Sequence, residues 1–137
     1  MEQSARQKFY QHIEAAPLAA RGFFESVEDH FEKLNDVDVR FTHTTVADMR
    51  LWAHWEASNG KQRKQIFAAL TWQPRIQAVY ARTKLTPSEF KSLGYSNAET
   101  IVNQPQNSKI QLFEENWRYG ALPFIRALEA AKMKLSN

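Results

Sequence analysis

Four histidines, His12, His30, His43 and His54, are the residues of this chain best suited to proton transfer near neutral pH. No two of them have the close spacing of a zinc-binding motif, which argues against a metal site. His54 is the best acid–base candidate because it lies beside Arg40 on the predicted sheet, but no carboxylate that would orient its ring is evident. We therefore expect neither a catalytic residue nor a metal ligand among the histidines.

The other reactive side chains also lack the spacing that catalysis requires. The chain has no cysteine, which excludes disulfides, thiolate metal ligands and a thiol nucleophile. Its four glycines are too scattered for a phosphate-binding loop, and no serine lies in a nucleophile-elbow pattern. Asp36 and Asp38 are spaced to bind a hard cation, although a polar entry to a strand explains them better. The sequence leaves enzymatic activity uncertain and favours a non-enzyme without a cofactor.

Cationic side chains around one predicted turn offer a different chemistry. Lys61, Arg63 and Lys64 form a basic cluster at that turn. Three further cations could contact the phosphates of a nucleic acid together with this cluster: Arg50, Arg75 and Arg82. The formal net charge of +3 is too small to imply a nucleic-acid partner by itself. Nucleic-acid binding is therefore one alternative among several.

The stretch of residues 62–82 organises the chain and carries several of these cations. It contains two apolar runs rich in aromatic and β-branched residues, with a proline turn between them, a pattern typical of a hairpin. Upstream, the dipeptide Asn59-Gly60 predicts a two-residue turn with positive φ. Residues 64–72 are therefore expected to form the middle strand of an antiparallel meander, between strands at 49–56 and 76–82.

Helical spacing dominates both ends of the chain. Residues 4–16 and 18–34 predict two N-terminal helices, because apolar residues recur every three or four positions. Residues 115–135 predict a last helix, which Gly120 and Pro123 should kink or delay. The remaining expected elements are a short helix at 87–93 and strands at 37–44, 98–103 and 108–113.

These elements predict an α+β fold with an antiparallel meander sheet of four to six strands. The N-terminal helices and the C-terminal helix are expected to pack mainly on one face of the sheet. A length of 137 residues without a linker or an internal repeat predicts a single domain, residues 1–137. Residues 1–20 lack a secretory signal, and no apolar run approaches the roughly 20 residues of a membrane helix. We therefore expect a cytoplasmic protein that does not bind membranes.

The predicted turns decide which side chains share a face of the sheet. Three apolar pairs are expected on the core face: Met49 with Leu70, Leu51 with Ala68, and Ala53 with Ile66. A three-residue loop before strand 76–82 would place Ile76, Ala78 and Tyr80 on this core face and Val79 and Ala81 on the opposite face. On that opposite face, here called the outer face, Trp52 is expected to lie opposite Phe67. The candidate binding residues of the outer face are Arg40, Arg50, Trp52, His54 and Phe67.

A sheet face that is both apolar and basic is typical of an interface or a binding groove. We consider three alternatives for the outer face. Other segments of the same chain cover it, a second copy of the chain covers it in a dimer, or it binds a small anion through Arg40, Arg50 and His54. We favour a small binding module, a homodimer by self-association, that uses the outer face around Trp52 and Phe67. One alternative is a small-molecule-binding protein or enzyme with a pocket near His54 and Arg40. The other is an accessory nucleic-acid-binding domain.

Three segments of the sequence, together with the order of the elements, resemble a known family. They read Lys-Gln-Ile-Phe-Ala at 64–68, Ile-Gln-Ala-Val-Tyr-Ala-Arg at 76–82 and Ala-Leu-Pro-Phe-Ile-Arg-Ala-Leu at 121–128. Over residues 20–135 the chain resembles a family of small bacterial domains of unknown function, which occur alone or attached to nuclease-like or transport-related proteins. The resemblance implies an α+β fold, an accessory role and no catalytic residues. The helical start is also similar to the cone-shaped nuclear transport factor-like fold, which encloses an aromatic pocket but normally ends in strands.

Overall fold

A computed structural model of the chain describes residues 4–43 and 46–135. In this part, the helices are α1 (Ala5–His12), α2 (Leu18–Glu32), α3 (Pro87–Ser92), α4 (Glu114–Trp117) and α5 (Leu122–Met133). The strands are β1 (Val37–His43), β2 (Ala47–Glu56), β3 (Gln62–Gln73), β4 (Ala78–Thr83), β5 (Glu99–Ile101) and β6 (Gln104–Leu112). The expected α+β fold is confirmed. Thr44, the expected end of the first strand, lies outside the described residues.

All six strands belong to one antiparallel sheet with the order β1-β2-β3-β4-β6-β5. β1 to β4 form the expected meander, and β6 rather than β5 pairs with β4. The turn between β5 and β6 consists of Val102 and Asn103, not of the polar stretch 104–107, which belongs to β6. Asn103 has φ +65, a left-handed conformation that asparagine tolerates better than most residues.

The helices pack mainly on one face of the sheet, as expected. The ring of Phe9 in α1 lies 5.2 Å from that of Phe41 in β1, measured between centroids. Trp117 of α4 packs edge-on against Trp72 of β3 at 5.8 Å. The apolar stripe of α2 is buried in the same core: Phe23, Phe24, Val27 and Phe31. The helical spacing of these residues therefore sets the side of the sheet on which the core lies.

The single C-terminal helix expected from the sequence is divided into α4 and α5. Gly120, between them, has φ +116, a conformation that favours glycine. Pro123 lies in the first turn of α5, where its missing N–H leaves no intrahelical hydrogen bond unmade. The expected interruption at these two residues is confirmed.

The hairpin between β2 and β3 differs from the expected two-residue turn. The Ala57 N–H donates to the Lys61 carbonyl at 2.9 Å, and the Gly60 N–H donates to the Ala57 carbonyl at 2.8 Å. The loop therefore holds three residues, Ser58 to Gly60, and ends on a left-handed glycine with φ +81. This turn pairs the ends of the two strands one residue out of the expected register.

A β-bulge at Phe67 then restores the expected register at the base of the hairpin. The pairing shifts between Leu51 and Trp52, so that Trp52 lies opposite Ile66. The extra residue, Phe67, turns into the core, where it is 1% exposed and its ring lies 5.6 Å from that of Phe31. The prediction that Phe67 lies on the outer face is therefore wrong, and Ile66 faces outward in its place. The turn and the bulge each shift the pairing by one residue, and the two shifts cancel.

β4 also presents the face opposite to the one expected. Gln73 pairs with Ala78, so the connection comprises the four residues 74–77 rather than three, and Gln77 has φ +53. One additional loop residue exchanges the two faces of the following strand, because side chains alternate with a period of two. The core therefore receives Val79 and Ala81, and the outer face receives Tyr80 and Arg82.

Candidate functional site

A row of cationic side chains crosses the outer face from β1 to β6. Cross-strand pairing places Arg40 opposite Arg50, Arg50 opposite Ala69, Ala69 opposite Arg82, and Arg82 opposite Lys109. We name these five residues the cationic row. Because neighbouring strands lie about 4.8 Å apart, the row extends over roughly 19 Å. Four of its five positions, which lie on five of the six strands, therefore carry a positive charge. The next position, on β5, is Glu99, which lies opposite Lys109.

Two pairs within the cationic row bring like charges together. Arg40 lies directly opposite Arg50, and Arg82 lies directly opposite Lys109. Like charges at such positions destabilise a sheet, and the effect of one cross-strand pair is about 0.2–1 kcal/mol. Asp38 and Asp48 lie within 3.8 and 3.3 Å of Arg40 and Arg50 and offset part of the first repulsion. The repulsion that is left lowers the stability of the free protein and is relieved when a negatively charged group lies between the cations. The row thus has the electrostatics of an anion-binding site.

Ala69 forms a depression in the middle of the cationic row. Its methyl group lies between Arg50 and Arg82, whose backbones are two strand spacings, about 10 Å, apart. The same three residues line two adjoining cavities, one of about 260 Å³ and one of about 890 Å³. We call the two cavities together the groove. The larger cavity is within the range of roughly 300–1,000 Å³ that is common for ligand pockets, and the smaller one is slightly below it.

Additional cations lie toward the two ends of the groove. Lys84 lines the end next to the β5–β6 hairpin, where Asn107 and Ile101 also contribute. Arg75 lines the other end, in the loop between β3 and β4. Among the described residues that line the groove, Asp48 is the sole carboxylate. The groove is therefore positively charged along its length.

Asp48 holds the guanidinium of Arg50 in position. The carboxylate is 5% exposed and accepts hydrogen bonds from Arg50 Nε at 3.3 and 3.4 Å and from the Thr42 hydroxyl. These bonds use one of the five N–H donors of Arg50 and leave the terminal nitrogens for a ligand. Arg82 and Lys109, in contrast, make no ion pair with any residue in the described part of the chain.

His54 and Arg40 lie beside the groove and do not line either of its two cavities. Both approach Asp38, whose carboxylate oxygens lie 3.8 Å from His54 Nε2, 3.8 Å from a terminal nitrogen of Arg40 and 3.3 Å from Lys64 Nζ. Asp38 is thus a carboxylate near His54 where none was expected from the sequence. Because Arg40, Lys64 and His54 share this carboxylate on an open face, the arrangement is a surface polar network. The distance of 3.8 Å exceeds the length of a hydrogen bond.

Two aromatic side chains flank the cationic row on the outer face. Trp52 follows Arg50 by two residues on β2, and Tyr80 precedes Arg82 by two residues on β4. Because side chains two residues apart lie on the same face of a strand, both rings share the face of the cationic row. Both side chains are half-buried, and both lie next to the groove. Tyr80 lines the larger cavity, and Trp52 lies opposite Ile66, which lines the smaller one.

The structure gathers four of the five predicted binding residues on the outer face: Arg40, Arg50, Trp52 and His54. Phe67 is excluded because it belongs to the core. Tyr80 was expected on the core face, and it lies on the outer face because the four-residue loop reverses the faces of β4. The position of Lys109 follows from the pairing of β6 with β4, which no local pattern indicates. Arg82 was expected to be a cation that could contact phosphates, but its position directly opposite Ala69 was not predicted.

Comparisons with known proteins gave no match to a family model, to a curated protein or to a solved structure. The resemblance to a family of small bacterial domains therefore stays a prediction. Within residues 4–43 and 46–135, no three histidine, aspartate or glutamate side chains are grouped so as to hold a metal ion. No helix in the same residues has the length and the apolar character needed to cross a membrane.

Proposed function

We propose that this protein is a binding module that holds an anionic ligand in the groove on the outer face of its sheet. The observation that carries the proposal is the cationic row, in which Arg50 and Arg82 face each other across Ala69. Guanidinium groups bind carboxylates and phosphates through paired N–H donors. An anion above Ala69 would accept hydrogen bonds from both arginines and would reduce the repulsion between Arg82 and Lys109.

A homodimer formed through the same face is the second proposal. Trp52 and Ile66 make a half-buried apolar pair on the outer face, which is a suitable centre for a contact between two copies. A face-to-face contact would also bring two cationic rows together, and their mutual repulsion would oppose it unless an anion lay between the copies. Ligand binding is therefore our first proposal and self-association the second.

Isothermal titration calorimetry with inorganic pyrophosphate at low salt tests the first proposal. The unchanged chain should bind the probe saturably. Arg82→Gln should weaken binding by about tenfold or more, because a hydrogen bond to a charged group contributes roughly 1.5–3 kcal/mol. Ala69→Leu should also weaken binding, because it fills the depression without changing the charge.

Arg126→Gln is the matched control for charge. It removes one positive charge from an exposed position on α5, away from the sheet, and should bind pyrophosphate like the unchanged chain. Equal losses in Arg126→Gln and Arg82→Gln would contradict the proposal, as would unchanged binding in Ala69→Leu. Light scattering on the same samples tests the homodimer, and a monomeric mass at the highest concentration used would exclude it.

A further inference from the structure

We infer that the ligand of the groove is single-stranded nucleic acid, with its phosphates along the cationic row and its bases stacked on Trp52 and Tyr80. This inference rests on the proposed function and names the class of partner. It follows from two properties of the outer face: the extent of its positive charge and the placement of its two aromatic rings.

The positive charge extends further than one compact anion requires. Arg50 and Arg82 flank the depression at Ala69, but Lys109 lies one strand beyond Arg82. Lys84 lies at one end of the groove as well. A single phosphate or carboxylate above Ala69 would leave Lys84 and Lys109 without an anionic ligand, although Glu99 lies directly opposite Lys109 on β5. A chain of phosphates carries negative charge at repeated intervals and can neutralise all of them.

The two aromatic rings lie on opposite sides of the cationic row. Trp52 and Tyr80 are separated by two strand spacings across the sheet and by about four residues along it, which places their Cα atoms roughly 16 Å apart. Base–aromatic stacking is the usual partner of phosphate contacts in proteins that bind single strands, and it tolerates any base because every base has a π face. A strand that crosses the row diagonally would place phosphates on the cations and a base on each ring. At Trp52 the base would replace the Lys64 ammonium, which lies 5.5 Å from the centre of the ring.

Other occupants use only part of this surface. A duplex would contact the cations but keeps its bases stacked within the helix, so the rings of Trp52 and Tyr80 would have no base to receive. An acidic polypeptide would satisfy the positive charge without a requirement for two aromatic rings. Single-stranded nucleic acid is the occupant that uses both the cationic row and the aromatic pair.

Fluorescence anisotropy of an end-labelled deoxythymidine octamer, titrated with the full chain, tests the inference. Binding should be saturable and should weaken as salt is added. Each phosphate contact to a single strand contributes about −0.7 to the slope of log K against log salt, so three or four contacts predict a slope of about −2 to −3. A duplex of the same length and polyglutamate serve as competitors, and both should compete less well than the unlabelled octamer.

Single substitutions separate the charge contacts from the stacking contacts. Arg82→Gln should lower the affinity and reduce the magnitude of the slope by about 0.7. Trp52→Leu and Tyr80→Leu should each weaken binding roughly 5- to 100-fold and leave the slope unchanged, because they remove a ring but no charge. Circular dichroism shows whether each variant is folded. If one variant does not fold, the slope of log K against log salt for the unchanged chain still tests the phosphate contacts.

Two controls match these substitutions. Arg126→Gln removes a charge outside the groove. Tyr119→Leu removes a ring that is 86% exposed in the segment between α4 and α5. Neither should change the affinity for the octamer.

The possible results are distinguishable. If pyrophosphate binds and the octamer does not, the inference is overturned and the proposed function stands. If neither probe binds, both fail. If the duplex or polyglutamate competes as well as the octamer, or if Trp52→Leu and Tyr80→Leu behave like Tyr119→Leu, single-strand recognition is overturned even though the groove binds anions.

Discussion

Removal of one charge from the Arg82–Lys109 pair should make this protein more stable, although the same change weakens ligand binding. The two residues are directly opposite each other on β4 and β6, and neither makes an ion pair with a described residue. Replacement of either side chain by glutamine keeps a polar chain of similar reach and removes the charge. For Arg82→Gln, the change in the free energy of unfolding then reports mainly the lost repulsion. Lys109→Gln also removes the attraction between Lys109 and Glu99, which lies directly opposite it on β5.

The size of the effect follows from the spacing of the two strands. Directly opposite side chains have Cβ atoms about 5 Å apart, and we take the two charges to be about 6 Å apart. In water, two unit charges at this separation repel by about 0.7 kcal/mol. Screening reduces this value to about 0.6 kcal/mol at 0.01 M salt, where the Debye length is about 30 Å, and to about 0.1 kcal/mol at 1 M salt, where it is about 3 Å.

A double-mutant cycle isolates the repulsion from other effects of the substitutions. Urea unfolding curves are measured for the unchanged chain, Arg82→Gln, Lys109→Gln and the double variant at low and high salt. Urea is the suitable denaturant because it is uncharged. At low salt Arg82→Gln should gain about 0.6 kcal/mol, and Lys109→Gln should gain less because it also loses the attraction to Glu99. The double variant should gain no more than Arg82→Gln. The coupling energy should be about 0.6 kcal/mol at low salt and should almost vanish at high salt.

A coupling energy of zero at low salt would refute this reasoning, because it would mean that the two charges are not neighbours on an open face. A coupling that does not change with salt would refute it as well, since only exposed charges are screened. Arg126→Gln, measured alongside, should show neither the gain in stability nor the dependence on salt.

Two further predictions concern stability. Phe67→Ala should lower the free energy of unfolding by about 3–5 kcal/mol, because it opens a cavity next to Phe31. Trp52→Ala, on the outer face, should lower it clearly less. Equal losses in urea unfolding would contradict the assignment of the two rings to opposite faces of the sheet. Lys132 Nζ lies 2.7 Å from Asp36 Oδ2, and this hydrogen bond holds the pKa of Asp36 below its ordinary value of 3.8. Because the folded pKa is the lower one, the pair stabilises the protein above the unfolded pKa, and the contribution is lost as the pH falls through the folded pKa. Lys132→Met should therefore cost about 0.5 kcal/mol at neutral pH and almost nothing in strong acid, and a loss independent of pH would argue against the pair.

The types of the elements could be predicted because they depend on local patterns. The capping box at Thr86 and Glu89, for example, forms the two reciprocal hydrogen bonds that its sequence indicates, and α3 begins there. The spacing of the apolar residues likewise identifies α2 and the strands of the meander. Such signals are contained within a few residues, so no knowledge of the tertiary structure is needed.

The faces of the strands could be predicted only in part, because they depend on single residues in the loops. Asn59-Gly60 fits a two-residue turn as well as a three-residue one, and the connection around Pro74 has four residues where three were expected. Each of these one-residue differences in loop length moves the side chains of the adjoining strand segment to the opposite face of the sheet. The bulge at Phe67 depends on packing against Phe31, which is distant in the sequence, and no local pattern indicates it.

The candidate site shows the same division. Arg40 and Arg50 could be assigned to the outer face from the alternation within β1 and β2 alone. The pair of Arg82 and Lys109 requires that β6 pair with β4 and that β5 lie at the edge, a non-local choice of partners. The central feature, an alanine between two arginines of different strands, is visible only once three strands are aligned.

The bulge at Phe67 also protects the cationic row against changes in the length of the hairpin. The ring of Phe67 is buried against Phe31 of α2, and burial of such a side chain contributes about 1.5–3 kcal/mol. The base of the hairpin is therefore expected to keep its register when the loop at its tip changes in length. A residue gained or lost in loop 57–61 would be accommodated on the tip side of the bulge. A change in the length of this loop is therefore expected to preserve the alignment of Arg50, Ala69 and Arg82.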